Sequence, residues 1–140
     1  MSLTPSHILL TGASSGIGRA LAVALAAQGY RLSLCGRDPA KLAQTLALLP
    51  PDSSVFSQHF SVTEPAAINQ FCQQAKQQFG AVDVLINCAG GNSSRSAATE
   101  PDWSALEQMM QLNFYAPLHF IQQLVPAMKE QGKGVVLNVL

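Results

Sequence analysis

The sequence predicts an α/β fold in which a doubly wound parallel sheet has the strand order 3-2-1-4-5. Short apolar runs alternate with segments whose apolar residues recur at helical spacing, as in parallel strands joined by helices. Right-handed crossovers between parallel strands favour the doubly wound order. The 140 residues contain no linker and suffice for one core, so residues 1–140 are predicted to form one domain.

The first part of the chain alternates strand, helix, strand, helix. His7–Leu10 is predicted to be the first strand, because this apolar run ends at a glycine-containing turn. Ile17–Ala27 is rich in alanine and has apolar residues at helical spacing, which predicts a packed helix. Arg31–Cys35 is the expected second strand. Pro39 suits the first turn of a second helix, which continues over Lys41–Leu49.

The middle of the chain repeats this rhythm. Residues 54–60 alternate in polarity, which predicts a third strand. Thr63 is the expected N-cap of the next helix, which runs to Phe79. Val82–Asn87 is a nearly continuous apolar run and therefore the expected fourth strand.

The last part begins with a small, polar segment from Ala89 to Glu100, which predicts a surface loop. A long helical pattern then runs from about Asp102 to Lys129. Val135–Leu140 is the expected fifth strand. The sequence stops there, so the sheet is expected to be truncated after this strand.

Composition excludes several classes of function. Lysine plus arginine equals aspartate plus glutamate, eight of each, and we expect no nucleic-acid partner. Apolar runs stay well short of the roughly 20 residues of a membrane span, and the N-terminus does not resemble a signal peptide. Because 48% of the residues are hydrophobic and 11% charged, we expect more chain or another subunit to cover part of the surface.

The cysteines and histidines predict neither a redox centre nor a metal site. The three cysteines show no Cys-x-x-Cys spacing, which favours buried, reduced thiols and a cytoplasmic location: Cys35, Cys72 and Cys88. The three histidines stand far apart in the sequence, so no metal ligand set is predicted: His7, His59 and His119.

A glycine-rich turn, Thr11–Gly18, connects the first strand to the first helix. A diphosphate needs free backbone N–H groups and a helix N-terminus directed at it, and this location supplies both. Gly12 is expected to allow a sharp turn, Gly16 to leave room for a phosphate, and Gly18 to let the helix pack close to the sheet. The alternative is a tight turn that uses glycine for structure alone.

Four motifs resemble the short-chain dehydrogenase/reductase family, and together they cover essentially the whole chain. Thr-Gly-x-x-x-Gly-x-Gly at residues 11–18 is similar to the family's cofactor fingerprint. Asn87-Cys88-Ala89-Gly90 resembles its Asn-Asn-Ala-Gly, with cysteine in the second position. Asn113 matches a helical active-site asparagine, and residues 134–139 resemble the strand leading to the catalytic serine. The resemblance implies a Rossmann-like, dinucleotide-binding domain.

The resemblance also implies a set of cofactor contacts. The diphosphate would lie against the glycine-rich turn, at Gly12, Ser14, Ser15, Gly16, Ile17 and Gly18. Ser61 and Val62 stand where the family has an aspartate that contacts adenine. The segment expected to line the nicotinamide-side ribose contains Asn87, Ala89 and Gly90.

The end of the second strand predicts which nicotinamide cofactor is bound. An acidic residue there would bind a free 2′-hydroxyl and repel a 2′-phosphate, but Gly36 and Arg37 occupy these positions. A guanidinium can pair with a phosphate through two hydrogen bonds, and Ser14 and Ser15 could add hydroxyl donors. We therefore expect NADP(H) in preference to NAD(H). A surface Arg37 paired with Asp38 is the alternative.

The catalytic set implied by the family is incomplete in this sequence. Hydride transfer to a carbonyl needs a proton donor such as a tyrosine beside a lysine, but neither Tyr30 nor Tyr115 has lysine four residues on. His119 stands at that spacing from Tyr115, and we interpret both as helix-surface or interface residues. Asn113 is then the only member of the catalytic set present, and the 140 residues alone are expected to be inactive.

The predicted function is an NADP(H)-dependent oxidoreductase acting on an alcohol/carbonyl pair, of which this chain is the cofactor-binding half. The family resemblance also implies a homo-oligomer that packs through the helix from Asp102 to Lys129. One alternative is a non-catalytic module that binds a dinucleotide or a partner. Another is a methyltransferase or a different nucleotide-binding α/β domain.

Overall fold

A computed structural model describes residues 4–91 and 96–140 of the chain. The strands are β1 (His7–Leu10), β2 (Arg31–Gly36), β3 (Val55–His59), β4 (Val84–Asn87) and β5 (Val135–Asn138). The helices are α1 (Gly16–Ala27), α2 (Pro39–Ala47), α3 (Pro65–Phe79), α4 (Trp103–Met110) and α5 (Ala116–Gln131), with a π-helical turn (Gln111–Tyr115) between the last two. Within these ranges, no helix combines the length and the apolar character needed to cross a membrane.

The five strands form one parallel sheet in the order β3-β2-β1-β4-β5, which confirms the predicted fold class and strand order. Successive side chains of a strand point to opposite faces, so the sheet has two cores. Leu9 packs with α3 and α5 on one face, and Leu10 packs with α1 and α2 on the other. The carboxyl ends of β1, β2 and β4 therefore meet at one edge of a covered sheet.

The long helix predicted from Asp102 to Lys129 is interrupted by the π-helical turn and extends to Gln131. Pro117 explains the interruption, because proline has no N–H to donate to the carbonyl of Asn113. The N–H of Ala116 donates to the carbonyl of Gln111, five residues back. The carbonyls of Leu112 and Asn113 consequently lack their usual helical donors.

Several predicted boundaries shift. Thr63 is not the N-cap of α3, because the residue before a proline is driven to an extended conformation, and Glu64 at φ −106° takes that place before Pro65. The second helix ends at Ala47, and the ladder of the fourth strand begins at Val84. The loop predicted from Ala89 to Glu100 falls partly on residues 92–95, which lie outside the described residues.

Candidate functional site

The glycine-rich turn follows β1 directly, and α1 begins at Gly16. Gly12 has φ +67°, and a Cβ there would lie 2.8 Å from the Cα of Ala89. Conformation and contact therefore both require glycine at this position. Gly16 has φ +56°, and a Cβ there would meet no atom within 4 Å, so this residue faces open space.

The N-terminus of α1 is accessible. Ser15 is the N-cap residue, yet its hydroxyl makes no capping hydrogen bond. The first N–H groups of a helix have no partner within the helix, and together with the helix dipole they favour an anion. Ser15, Gly16 and Ile17 are exposed, Ile17 to 61%. Residues 15–17, at the start of α1, are therefore open to solvent, whereas Thr11 and Ala13 at the base of the turn are buried.

Gly18 was predicted to let α1 pack close to the sheet, but its close contact in the structure is with Gly12. A Cβ at Gly18 would lie 1.9 Å from the carbonyl oxygen of Gly12. The close contact of α1 is thus with the turn itself rather than with the sheet. The first turn of α1 therefore packs directly on Gly12, where the chain turns.

Thr11 joins the turn to the loop that follows β4, a role that sequence analysis missed. Its buried Oγ1 accepts hydrogen bonds from the backbone N–H groups of Cys88 at 3.0 Å and Ala89 at 2.9 Å. The only available signal was a hydroxyl residue directly before Gly12. Two segments far apart in the sequence are thereby held side by side at the carboxyl edge.

Asn113 lies in the π-helical turn and contacts the same loop. Its Nδ2 donates to the carbonyl of Gly91 at 2.8 Å, and its Oδ1 accepts from the Gly91 N–H at 3.0 Å. A Cβ at Gly90 would lie 2.8 Å from that Oδ1. The carboxamide predicted to belong to a catalytic set is therefore engaged in holding the loop.

Asn87 ends β4 opposite Asn138 of β5. Its Nδ2 donates to Oδ1 of Asn138 at 2.9 Å, while its own Oδ1 is buried without a partner among the described residues. An unsatisfied buried acceptor costs about 1–3 kcal/mol. The next residue, Cys88, is half-buried, and burial raises the pKa of its thiol.

The end of β2 carries the predicted cofactor-selecting residues. A Cβ at Gly36 would lie 2.8 Å from Cβ of Ser14, so glycine here lets the glycine-rich turn approach the strand end. Asp38 caps α2, accepting from the N–H groups of Ala40 at 2.9 Å and Lys41 at 3.2 Å. Arg37 is exposed beside it. The alternative prediction paired Arg37 with Asp38. In the structure, the Asp38 carboxylate accepts hydrogen bonds from the first N–H groups of α2.

One open groove of about 1730 Å³ brings the predicted site residues together at the carboxyl edge. Its lining includes Gly12, Ser14, Ser15, Ile17, Gly18, Arg37, Ser61, Val62, Asn87, Ala89, Gly90 and Asn113. Of the predicted set, Gly16 is exposed but does not contribute to the lining. Lys41 lines the groove and was missed, although Pro39 had indicated that residue 41 lies in the first turn of a helix.

The cysteines are free thiols, and the two in the core are fully buried. Burial raises the pKa of Cys35, and it raises the pKa of Cys72 to about 12, so both thiols are neutral at pH 7. Across the described ranges, no three His, Cys, Asp or Glu side chains are grouped as metal ligands would be.

Comparison with known proteins identifies the family. The family described as short chain dehydrogenase matches residues 6–140. The chain belongs to the short-chain dehydrogenase family. An uncharacterized oxidoreductase of Staphylococcus saprophyticus is 35% identical over 133 residues, which make up 94% of this chain and 56% of that protein. The chain spans about half the length of the curated relatives it matches.

Solved structures of the family share the fold. Levodione reductase is 28% identical, with a TM-score of 0.92 over 98% of this chain and 54% of its own. A metagenomic short-chain oxidoreductase in complex with NADP is 27% identical, with a TM-score of 0.88 over 97% of this chain and 62% of its own. The sheet, the helices and the glycine-rich turn therefore form a Rossmann-like domain of an oxidoreductase family.

Proposed function

We propose that this chain is the cofactor-binding half of an NADP(H)-dependent oxidoreductase acting on an alcohol/carbonyl pair. The observation that carries the proposal is the accessible N-terminus of α1 beside Ser14, Arg37 and Lys41 in one groove. Backbone N–H groups and the helix dipole favour the diphosphate, and two cationic side chains favour a further phosphate. The similar oxidoreductase solved with NADP supports this choice of cofactor.

The remaining groove residues fit the other parts of the dinucleotide. Val62 is buried beneath the groove, and Ser61 presents a hydroxyl, 2.7 Å from that of Thr63, where adenine would lie. Asn87, Ala89 and Gly90 would line the nicotinamide-side ribose. When bound, the nicotinamide ring would supply or accept the hydride. The loop held by Thr11 and Asn113 would orient the ring.

Asn113 is proposed to act by positioning this loop. Tyr30 and Tyr115 both lack a lysine four residues on, so we propose no proton donor among the 140 residues. We therefore expect the chain to bind cofactor without turning substrate over. A chain that reduces carbonyl substrates unaided would contradict this part of the proposal.

Calorimetric titration with NADPH and NADH tests the proposal. The wild-type chain should bind NADPH more tightly. Arg37→Asp should lower the preference for NADPH by about tenfold or more, because it replaces a charge-assisted partner with a repelling charge. Lys133→Asp makes the same change of charge at an exposed position outside both the groove and α5, and it should leave the preference unchanged. An unaltered preference in Arg37→Asp would remove Arg37 from the site.

We further propose that a second subunit packs on the surface formed by α4, the π-helical turn and α5. The side chains of Met110, Phe114, Tyr115 and Leu118 are 42–57% exposed there. Apolar residues this exposed on one helical segment are typical of an interaction surface. The cytoplasmic location is likewise proposed, and it is supported by the three free cysteines, since thiols stay reduced in the cytosol.

A further inference from the structure

Arg19 stands in the first turns of α1, next to the glycine-rich turn, but its guanidinium does not line the groove. Its Nε donates to Oγ1 of Thr45 at 3.0 Å. Its Nη2 donates to the carbonyl oxygens of Ser14 at 2.7 Å and Lys41 at 3.0 Å, and lies 3.3 Å from Oε1 of Gln44. The guanidinium is thus directed at α2 and at the carbonyl of Ser14 rather than into the groove.

Thr45 is fully buried and completes the connection. A hydroxyl has one proton to give, and that of Thr45 donates to the carbonyl of Ala13 at 2.8 Å while its oxygen accepts from Arg19. Thr45 of α2 therefore holds the carbonyl of Ala13, and Arg19 of α1 holds the carbonyl of Ser14 while its guanidinium also binds α2. The N–H of Ala13 donates to the carbonyl of Cys35 in β2 at 3.0 Å.

These hydrogen bonds connect two parts of the candidate site that lie apart in the sequence, the glycine-rich turn and the start of α2. The glycine-rich turn contributes the N–H groups for the diphosphate and the hydroxyl of Ser14. The start of α2 contributes Lys41, and Arg37 directly precedes Asp38, the N-cap residue of this helix. A phosphate held from both parts needs their separation fixed to within about 0.5 Å.

We propose that Arg19 and Thr45 are positioning residues for cofactor selection, because they fix the start of α2 against the glycine-rich turn. The inference rests on the proposed function. If the proposed function holds, the 2′-phosphate of NADPH would contact both parts of the site, whereas NADH would depend mainly on the turn. Loosening the connection should therefore weaken NADPH binding more than NADH binding, which loss of stability alone would not do.

The test measures dissociation constants for NADPH and NADH by calorimetry in matched variants. Thr45→Val keeps the shape of the side chain but removes the hydroxyl. It should lower the preference for NADPH about threefold to tenfold, the size expected for a lost hydrogen bond in the link. Thr45→Ser restores the hydroxyl and should restore the preference. Ile68→Val removes one buried methyl group on the other face of the sheet and should destabilise the chain without altering the preference.

A preference that is unchanged in folded Thr45→Val would overturn the inference and leave the proposed function intact. If Thr45→Val does not fold, Arg19→Lys takes its place and should lower the preference likewise. Lysine keeps the charge but offers one nitrogen in place of the Nε and Nη2 atoms that reach Thr45 and the two carbonyls. A wild-type chain that binds neither dinucleotide, or binds both equally, would instead contradict the proposed function itself. The wild-type measurement thus separates the two failures.

Discussion

Two sides of the domain differ in how much of their apolar surface is buried. The turn side consists of β1, α1, β2 and α2. The edge side consists of α4, the π-helical turn, α5 and β5. On the turn side, all residues of β1 are buried, and Thr45 connects a helix to the turn. On the edge side, all residues of β5 are exposed, and Phe114 is 57% exposed. The turn side therefore forms its candidate phosphate site from its own packed elements. The edge side presents apolar surface that we expect further protein to cover.

On the turn side, the largest effect is expected from alanine at Gly18, where an added Cβ would make the closest contact. The added Cβ would lie 1.9 Å from the Gly12 carbonyl oxygen, so we expect a loss of about 3 kcal/mol in the free energy of unfolding. Alanine would otherwise be favoured inside a helix by about 1 kcal/mol. Urea unfolding followed by circular dichroism measures the change.

Gly16→Ala is the matched control. Its Cβ meets no atom within 4 Å, so only the left-handed conformation costs stability, by about 1–2 kcal/mol. The methyl group would occupy the open space in front of the turn. The free energy of cofactor binding should therefore fall by more than the free energy of unfolding. Equal stability losses in the two variants would show that α1 is not packed on the turn as described.

The next effect concerns the amino end of β1, where His7 anchors the turn side. Its Nδ1 lies 3.0 Å from the carbonyl of Gly80, which can only accept, so Nδ1 carries the proton and Nε2 accepts from Ser33 Oγ at 2.7 Å. Burial lowers the pKa of His7, although the bond to Gly80 opposes this; Arg31 lowers it further and Asp83 raises it.

The unfolded chain therefore binds this proton more readily than the folded chain. Stability is fully present above about pH 6.5, the ordinary histidine value, and is lost as the pH falls through it towards the lower folded value. The loss should approach about 1.4 kcal/mol per pH unit at most. His7→Gln should flatten the pH dependence of unfolding between pH 7.5 and 5.5. Parallel profiles for the two proteins would contradict the buried, neutral histidine.

The smallest effect on stability is expected on the edge side. Phe114→Ser removes an exposed ring and should change the free energy of unfolding by about 0.5 kcal/mol or less. Sedimentation velocity should nevertheless show weaker self-association. Phe120→Ala, on the buried side of the same helical segment, should cost about 3–5 kcal/mol. A comparable loss from Phe114→Ser would mean that this ring is already packed within the monomer.

The comparison also shows what sequence patterns can and cannot predict. Apolar periodicity predicted the strands and helices, and the handedness of parallel crossovers predicted the sheet order. Glycine spacing predicted the turn, whereas the loop at Asn87 was predicted from its resemblance to a family motif. The roles of Thr11, Arg19 and Thr45 were not predicted, since each depends on two elements that meet only in the folded chain. The π-helical turn was missed because apolar spacing does not reveal which carbonyl loses its donor.

The most direct test of the central claim is an amide NMR titration of the ¹⁵N-labelled chain with inorganic pyrophosphate. If the backbone N–H groups at the start of α1 hold a diphosphate, the largest saturable shifts should fall on residues 14–18, with smaller ones at Ala89 and Gly90. Shifts confined to the starts of α2 or α3, or the absence of any saturable shift at residues 14–18, would contradict the account.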